Sequence, residues 1–294
     1  LVGSEMCIRD RPNSYSVTGI YFNTKLAEQL GIDAAPTSVE EFEADMQTAK
    51  DAGILPMMTY AKDGGTSFVF QALMANNSSA EDVQNWILQK SGTFDNQAAQ
   101  DAASTLQDWN NKGYMPEGVN AVDASTALSR FCNGEGLFFP SGNWNLDTVA
   151  KALGDDVQFF AFPGATSEDE PNVAANAGAF YGIPVNAKNR DAAAAFLDYT
   201  QSAEAQQIIV DNSGYLPKSS TLDLKANSAL QQSMFDAYAD VLTSGHTSDF
   251  INNATAGMQS SGLIPNFQLL LDNSITPQEF TKNVQAQYDK EAKR

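Results

Sequence analysis

Side chains able to do covalent or metal chemistry are sparse in this chain. Its single histidine, His246, lies in the polar stretch "SGHTSD", which reads as a solvated loop rather than as the seat of a general base. Cys132 is the one cysteine outside the first eleven residues, and one thiol with one imidazole builds neither a zinc site nor a redox pair. The acidic run "SEDE" at 167–170 reads as a solvated face. "DNSITPQE" at 272–279 lacks the glycine and the distal glutamate of an EF-hand loop, and reads as a turn followed by a helix cap. The run Gly64–Gly65–Thr66–Ser67–Phe68 leads into a helix start. Backbone N–H groups left free there would suit a ligand hydroxyl, although an ordinary turn is the stronger reading. With no nucleophile motif, phosphate loop or metal cluster, the expectation is no catalytic residue, no cofactor and no metal.

Composition narrows the partners. The formal charge of −19 argues against nucleic acid or an anionic membrane surface, because counterion release needs clustered Lys and Arg. Arginines are few, which leaves few bidentate clamps for phosphate or carboxylate, so a neutral polar ligand suits the chain better than an anion. No window approaches the roughly 18 consecutive apolar residues of a spanning helix, and 43% hydrophobic residues suffice for a packed core. Length alone suggests about two domains.

The elements that must position any site follow from period and caps. "GIYFN" at 19–23 reads as a strand, followed by a helix from Thr24 to about Gly31. A Thr37/Ser38 cap with Glu40 and Glu41 opens a helix whose apolar face is Val39, Phe42, Met46 and Ala49, closed by Gly53. "ILPMMTY" at 54–60 is expected to be a strand, and helices are expected over 68–75, 81–90, 95–112 and 125–132. "GLFFPSG" at 136–142 and "VQFFAFP" at 157–163 read as buried strands, 164–176 as a loop, and "AGAFYGIPVNA" as a further strand. Two helices follow, from Asp191 and from Ser202, and then a mostly helical tail. Its last helix starts with a Thr276 cap, Pro277 and a Glu279 capping box. Strands separated by helices predict an α/β fold.

The opening "LVGSEMCIRDR" is unlike the remainder, holding two of the five arginines and lacking the apolar run of a secretory signal. It resembles a translated sequencing adapter. Residues 1–11 are therefore set aside as a scar, and the chain is read from Pro12, within a longer gene, so nothing about targeting follows from its start.

The order of signals in "IYFNTKLAEQLGIDAAPTSVEEFEADMQTAKDAGILPM", "FCNGEGLFFPSGNW" and "AGAFYGIPVNAKNRDAAAAFLDYTQSAEAQQIIVDNSGYLPKS" resembles that of the family 1 extracellular solute-binding proteins of ABC importers. Val39 stands where the family usually has Trp. The resemblance covers about 12–294 and implies a two-lobed periplasmic-binding-protein-like α/β fold with ligand held between the lobes. It implies a first crossing segment at 12–18, the second lobe at 19–173, a return crossing at 174–178, a remnant of the first lobe at 179–218, and a helical tail at 219–294 packing on the second lobe.

Site residues follow by the same resemblance. Trp144, with Gly142 and Asn143 before it, matches a position where an aromatic stacks on a sugar ring, a half-buried core Trp being the alternative; Trp86 and Trp109 read as core. Ser16 lies on the first crossing. Asn176, Gly178 and Phe180 lie on or beside the return crossing, and Thr66 and Phe68 on the loop before a helix, where a maltose-binding member of the family has a Tyr and this chain has none. Met258, Gln259 and Ser260 lie where the tail can reach the cleft. The implied function is capture of a neutral mono- or oligosaccharide by hinge closure and delivery to a permease, by a periplasmic or extracellular monomer that a lipid can anchor. The competing readings are a glycoside hydrolase, which needs two carboxylates about 5–9.5 Å apart across a cleft, and a same-family binder of an amine or glycerol phosphate.

Overall fold

Strand β1 (Tyr15–Asn23) is the spine of the structure, a computed structural model that describes residues 15–177, 181–213, 224–239, 241 and 245–292. Its side chains alternate between two cores, as the two-residue period of a strand requires. Ile20 and Phe22 enter one, Val17 and Tyr21 the other. Strand β2 (Phe138–Gly142) pairs antiparallel along one edge of β1. Strands β3 (Val157–Phe160) and β4 (Val173–Ala177) pair antiparallel along the other, β3 beside residues 20–23 and β4 beside residues 15–17. The short β5 (Thr247–Ser248) joins β4 in parallel.

Helices cover both faces. After α1 (Thr24–Leu30), the first core is built by α2 (Val39–Asp51), α3 (Thr66–Asn76), α4 (Ala80–Ile87) and α5 (Gln97–Asn111). The second core is built by α6 (Ala124–Cys132), α7 (Leu146–Leu153) and, further along the chain, α10 (Ala229–Ala239). Between α7 and α10 come α8 (Arg190–Tyr199), which buries none of its residues, and α9 (Ala203–Ser213). The tail helices α11 (Ile264–Leu271) and α12 (Pro277–Ala292) return to the first core, where Phe267 and Phe280 pack on Phe70 of α3 at 5.2 and 5.4 Å between ring centroids.

Local chemistry explains most boundaries. Ser38 Oγ accepts from the Glu41 N–H at 3.1 Å while the Glu41 carboxylate accepts from the Thr37 N–H at 2.7 Å, so two helix-start donors are satisfied together. Thr276 and Glu279 make the same exchange at α12. Phe42, Met46 and Ala49 are buried as their spacing predicts, whereas Val39 is only half-buried.

Two expectations change. The stretch 54–60 forms no ladder: a single parallel bridge joins Met57 to Phe138, and Pro56 offers no N–H to extend it. The strand expected in "AGAFYGIPVNA" lies earlier, because β4 starts at Val173, inside the presumed loop, and ends at Ala177. Residues 181–187 carry no strand.

Asp45 on α2 gives a pH test of this packing. Burial, with the Glu41 carboxylate one turn away, pushes its carboxyl up to about 6 from the ordinary 3.8. The folded chain thus holds this proton more tightly than the unfolded one, and stability falls as pH rises from about 4 to about 6. Asp45 is half-buried, so solvent discounts the effect to about 1 kcal/mol. Asp45→Asn is expected to raise the melting temperature by about 3 °C at pH 7 and by nothing at pH 4. Scanning calorimetry at the two pH values checks this.

Candidate functional site

Beyond Gly142 the chain turns through a short 3-10 segment, Asn143–Asn145, and this corner sets the geometry of the site. Asn143 is fully buried. Its Oδ1 accepts from the Val17 N–H at 3.1 Å and its Nδ2 donates to the Tyr15 carbonyl at 2.9 Å. Expected as a ligand contact, Asn143 instead ties the corner to β1, with both polar atoms already engaged. Gly142 has an extended backbone, φ −137° and ψ 178°, that any residue adopts. Its lack of a side chain matters for another reason: a Cβ there would lie 2.1 Å from the Trp144 ring. The indole therefore packs directly against Gly142 at the end of β2.

Trp144 is 37% exposed. Its ring centroid lies 5.5 Å from that of Phe68 and 6.2 Å from that of Phe250, and those two lie 6.3 Å apart. Three rings in a triangle, one of them open to solvent, make an apolar platform of the kind that C–H faces stack upon. The indole N–H donates to no protein group among the described residues. Trp86 and Trp109 are buried at 3% and 0% exposure and hydrogen-bond to Gln285 and Glu43, consistent with core roles.

The loop before α3 is an ordinary turn, the stronger of its two readings, and not a set of free donors. Thr66 is 1% exposed, and its N–H donates to the Tyr60 carbonyl at 3.1 Å. The Ser67 and Phe68 N–H groups donate to Gly64 and Gly65. These helix-start donors are closed within the loop, which packs so tightly on Tyr60 that a Cβ at Gly65 would lie 2.4 Å from that ring. Phe68 alone, half-buried, reaches the platform.

On the crossing strands, Ser16 pairs with Asn176 in the β1–β4 register, so the two side chains share a face with Thr18. Both are half-buried. Asn176 Nδ2 donates at 3.0 Å to Oδ1 of Asp249, the residue next to Phe250. Asp249 Oδ1 also accepts from the Phe250 N–H at 2.7 Å and from Asn253 Nδ2 at 2.8 Å. The loop is fixed from behind by α3 and α4. Gln71, 3% exposed, donates to Ser248 Oγ at 2.9 Å and to the Asp249 carbonyl at 2.7 Å, and accepts from the Ile251 N–H at 3.0 Å. Gln84 Oε1 accepts from the Asp249 N–H at 2.6 Å.

The sequence placed Asp249 only at the end of the polar stretch "SGHTSD", and Phe250 drew no reading at all. The aromatic at the end of "TSDF" was their one signal. Gly178 and Phe180 lie outside the described residues. Met258 is core, and Gln259 is tied to the Asp63 carbonyl at 3.0 Å, both within a π-helical stretch, Met258–Leu263, which leaves Ser260 exposed. Among the described residues no three His, Cys, Asp or Glu side chains converge on a metal position. Cys132 is half-buried, and burial raises its thiol pKa, which makes the thiolate scarcer. Two cavities of about 370 Å³ each open at the far end of α3, one floored by Met74, Trp86 and Phe94 and the other beside Asn76 and His246. The first floor is buried and offers little ring surface, and neither cavity includes Trp144.

Comparison with known proteins agrees with this architecture. A chitin oligosaccharide binding protein superposes with a TM-score of 0.84 at 20% identity over 96% of this chain and 71% of its own. RafE from Streptococcus pneumoniae, in its apo form, gives 0.76 at 17% identity over 95% and 71%. A maltose-bound MalE3 of T. maritima gives 0.73 at 19% identity over 95% and 71%. At these identities the likeness is one of fold. A search of curated protein sequences finds no match. Residues 12–234 match the family model described as bacterial extracellular solute-binding protein, a family of binding proteins rather than enzymes. The chain belongs to the bacterial extracellular solute-binding protein family.

Proposed function

We propose that this chain captures a neutral mono- or oligosaccharide on the face built by Trp144, Phe68 and Phe250 and delivers it to the permease of an ABC importer. One observation carries the reading: a solvent-open indole framed by two aromatic rings lies beside a polar group of Asn176, Asp249 and Ser16. A pyranose presents an apolar C–H face and a rim of hydroxyls, and this surface offers a partner for each. The similar structures whose names mention chitin oligosaccharide or maltose support the same ligand class. In this reading Asn143 and Gly142 hold the platform in place. The residue ranges on either side of β1 and β4 act as lobes that close over the ligand. The protein works as a monomer outside the cytoplasm, free or held by a lipid anchor.

The test is a thermal-shift and calorimetric screen of mono- and oligosaccharides beside amines and glycerol phosphate. At least one neutral saccharide is expected to raise the melting temperature and bind with a single stoichiometry. A shift with amines or phosphate esters alone would replace the carbohydrate reading.

A further inference from the structure

We propose that Asp249 is a charge filter of this site, admitting neutral and amine-bearing saccharides and rejecting those that carry a carboxylate. The inference rests on the saccharide reading and adds to it the residue that sets ligand charge. Its basis is the uneven use of the two carboxylate oxygens. Oδ1 accepts three hydrogen bonds, from Asn176 Nδ2, the Phe250 N–H and Asn253 Nδ2. Oδ2 accepts none among the described residues, and no Lys or Arg there pairs with Asp249. All three donors on Oδ1 are neutral, so they orient the carboxylate without cancelling its charge. The residue is half-buried beside Phe250, whose ring lies 6.2 Å from that of Trp144, so a ring stacked on the indole comes within reach of that charge.

A carboxylate with a free oxygen accepts a hydrogen bond from a hydroxyl or pairs with an ammonium, and it repels another carboxylate. Gln71 and Gln84 clamp the backbone of the loop from the side of the helices and the three donors on Oδ1 hold the side chain, so Asp249 cannot swing away to relieve that repulsion without breaking those bonds. The chain's overall charge of −19 also disfavours anions, but that field is screened within about 8 Å at physiological salt, whereas a contact with Asp249 is screened much less.

The experiment uses Asp249→Asn, which keeps an Oδ1 for the three donors and replaces the charged oxygen by an amide. Wild type and variant are titrated at low and high salt with glucose, glucosamine and glucuronate, and with galactose, galactosamine and galacturonate, each as monomer and as oligomer. The wild type is expected to bind the uronates at least about tenfold more weakly than the neutral sugars of the same series. In the variant that gap is expected to shrink to about threefold or less, and any advantage of the amines to vanish. Unchanged Trp144 emission without ligand confirms that the loop is still in place. If neutral sugars bind and the charge order is the same in both proteins, the filter is refuted while saccharide capture stands. If no member of either series binds the wild type, both fall together.

Discussion

Trp144→Ala is expected to weaken saccharide binding by about 100-fold while leaving the fold intact. Buried or stacked aromatic anchors are the residues whose truncation costs most at binding surfaces, commonly about 2–4 kcal/mol. Here the ring serves twice. It is 37% exposed, which leaves surface for a sugar's C–H face, and its N–H donates to no protein group among the described residues, which leaves it for a hydroxyl. The fold tolerates the loss because the ring packs on Phe68 and Phe250 at the edge of the structure and belongs to neither core. The other two tryptophans are buried, so a ligand-induced change in tryptophan emission reports Trp144. Calorimetry of the alanine variant should show weak or no binding, its emission should no longer respond to sugar, and Trp144→Phe should retain part of the affinity through stacking alone. A Trp144→Ala protein that binds as tightly as the wild type would move the ligand off this platform altogether.

How much of this was legible in the sequence depends on the distance over which each feature is specified. Helix caps and faces are local, and they were readable: the Ser38–Glu41 exchange, the buried series Phe42, Met46 and Ala49, and the Thr276–Glu279 box stand as the spacing predicts. Pairing between distant segments was not. The stretch 54–60 has strand-like residues, yet it lies beside Leu137 and Phe138 without entering a ladder, a fact that only the partner's position decides. β4 starts at Val173 because β1 and β5 flank it, and neither neighbour is visible from "NVAAN".

The site shows the same division. Trp144 and Phe68 were singled out by the family resemblance of the segments that hold them, and the structure brings their rings to 5.5 Å. Thr66 and Asn143 followed from the same resemblance, but both are buried: Asn143 is spent on the backbone of β1, and the Thr66 hydroxyl is enclosed with no hydrogen-bond partner among the described residues. Asp249 and Phe250 join the site through Gln71, Gln84 and Asn176, three contacts that span 73 to 178 residues of chain. No local pattern encodes such a clamp.

Gly142→Ala carries the argument furthest, because the residue needs no contact with ligand for its change to be felt. Its backbone suits alanine, so the substitution brings no strain in φ, and the smaller entropy of the unfolded chain favours the folded state by about 0.4–1 kcal/mol. The new methyl, however, would lie 2.1 and 2.3 Å from Cζ3 and Cη2 of Trp144. The indole must swing out, leaving Phe68 and Phe250, and the platform is lost. Affinity is expected to fall about 100-fold, as in Trp144→Ala, while the melting temperature changes by no more than a few degrees. The double variant Gly142→Ala with Trp144→Ala separates this from a general disturbance: if Gly142 acts only through the indole, the double variant binds no more weakly than Trp144→Ala alone. Additive losses would mean that Gly142 supports the ligand face by another route. Unchanged affinity in Gly142→Ala, with tryptophan emission shifted, would mean that the ligand does not need the ring where the structure holds it.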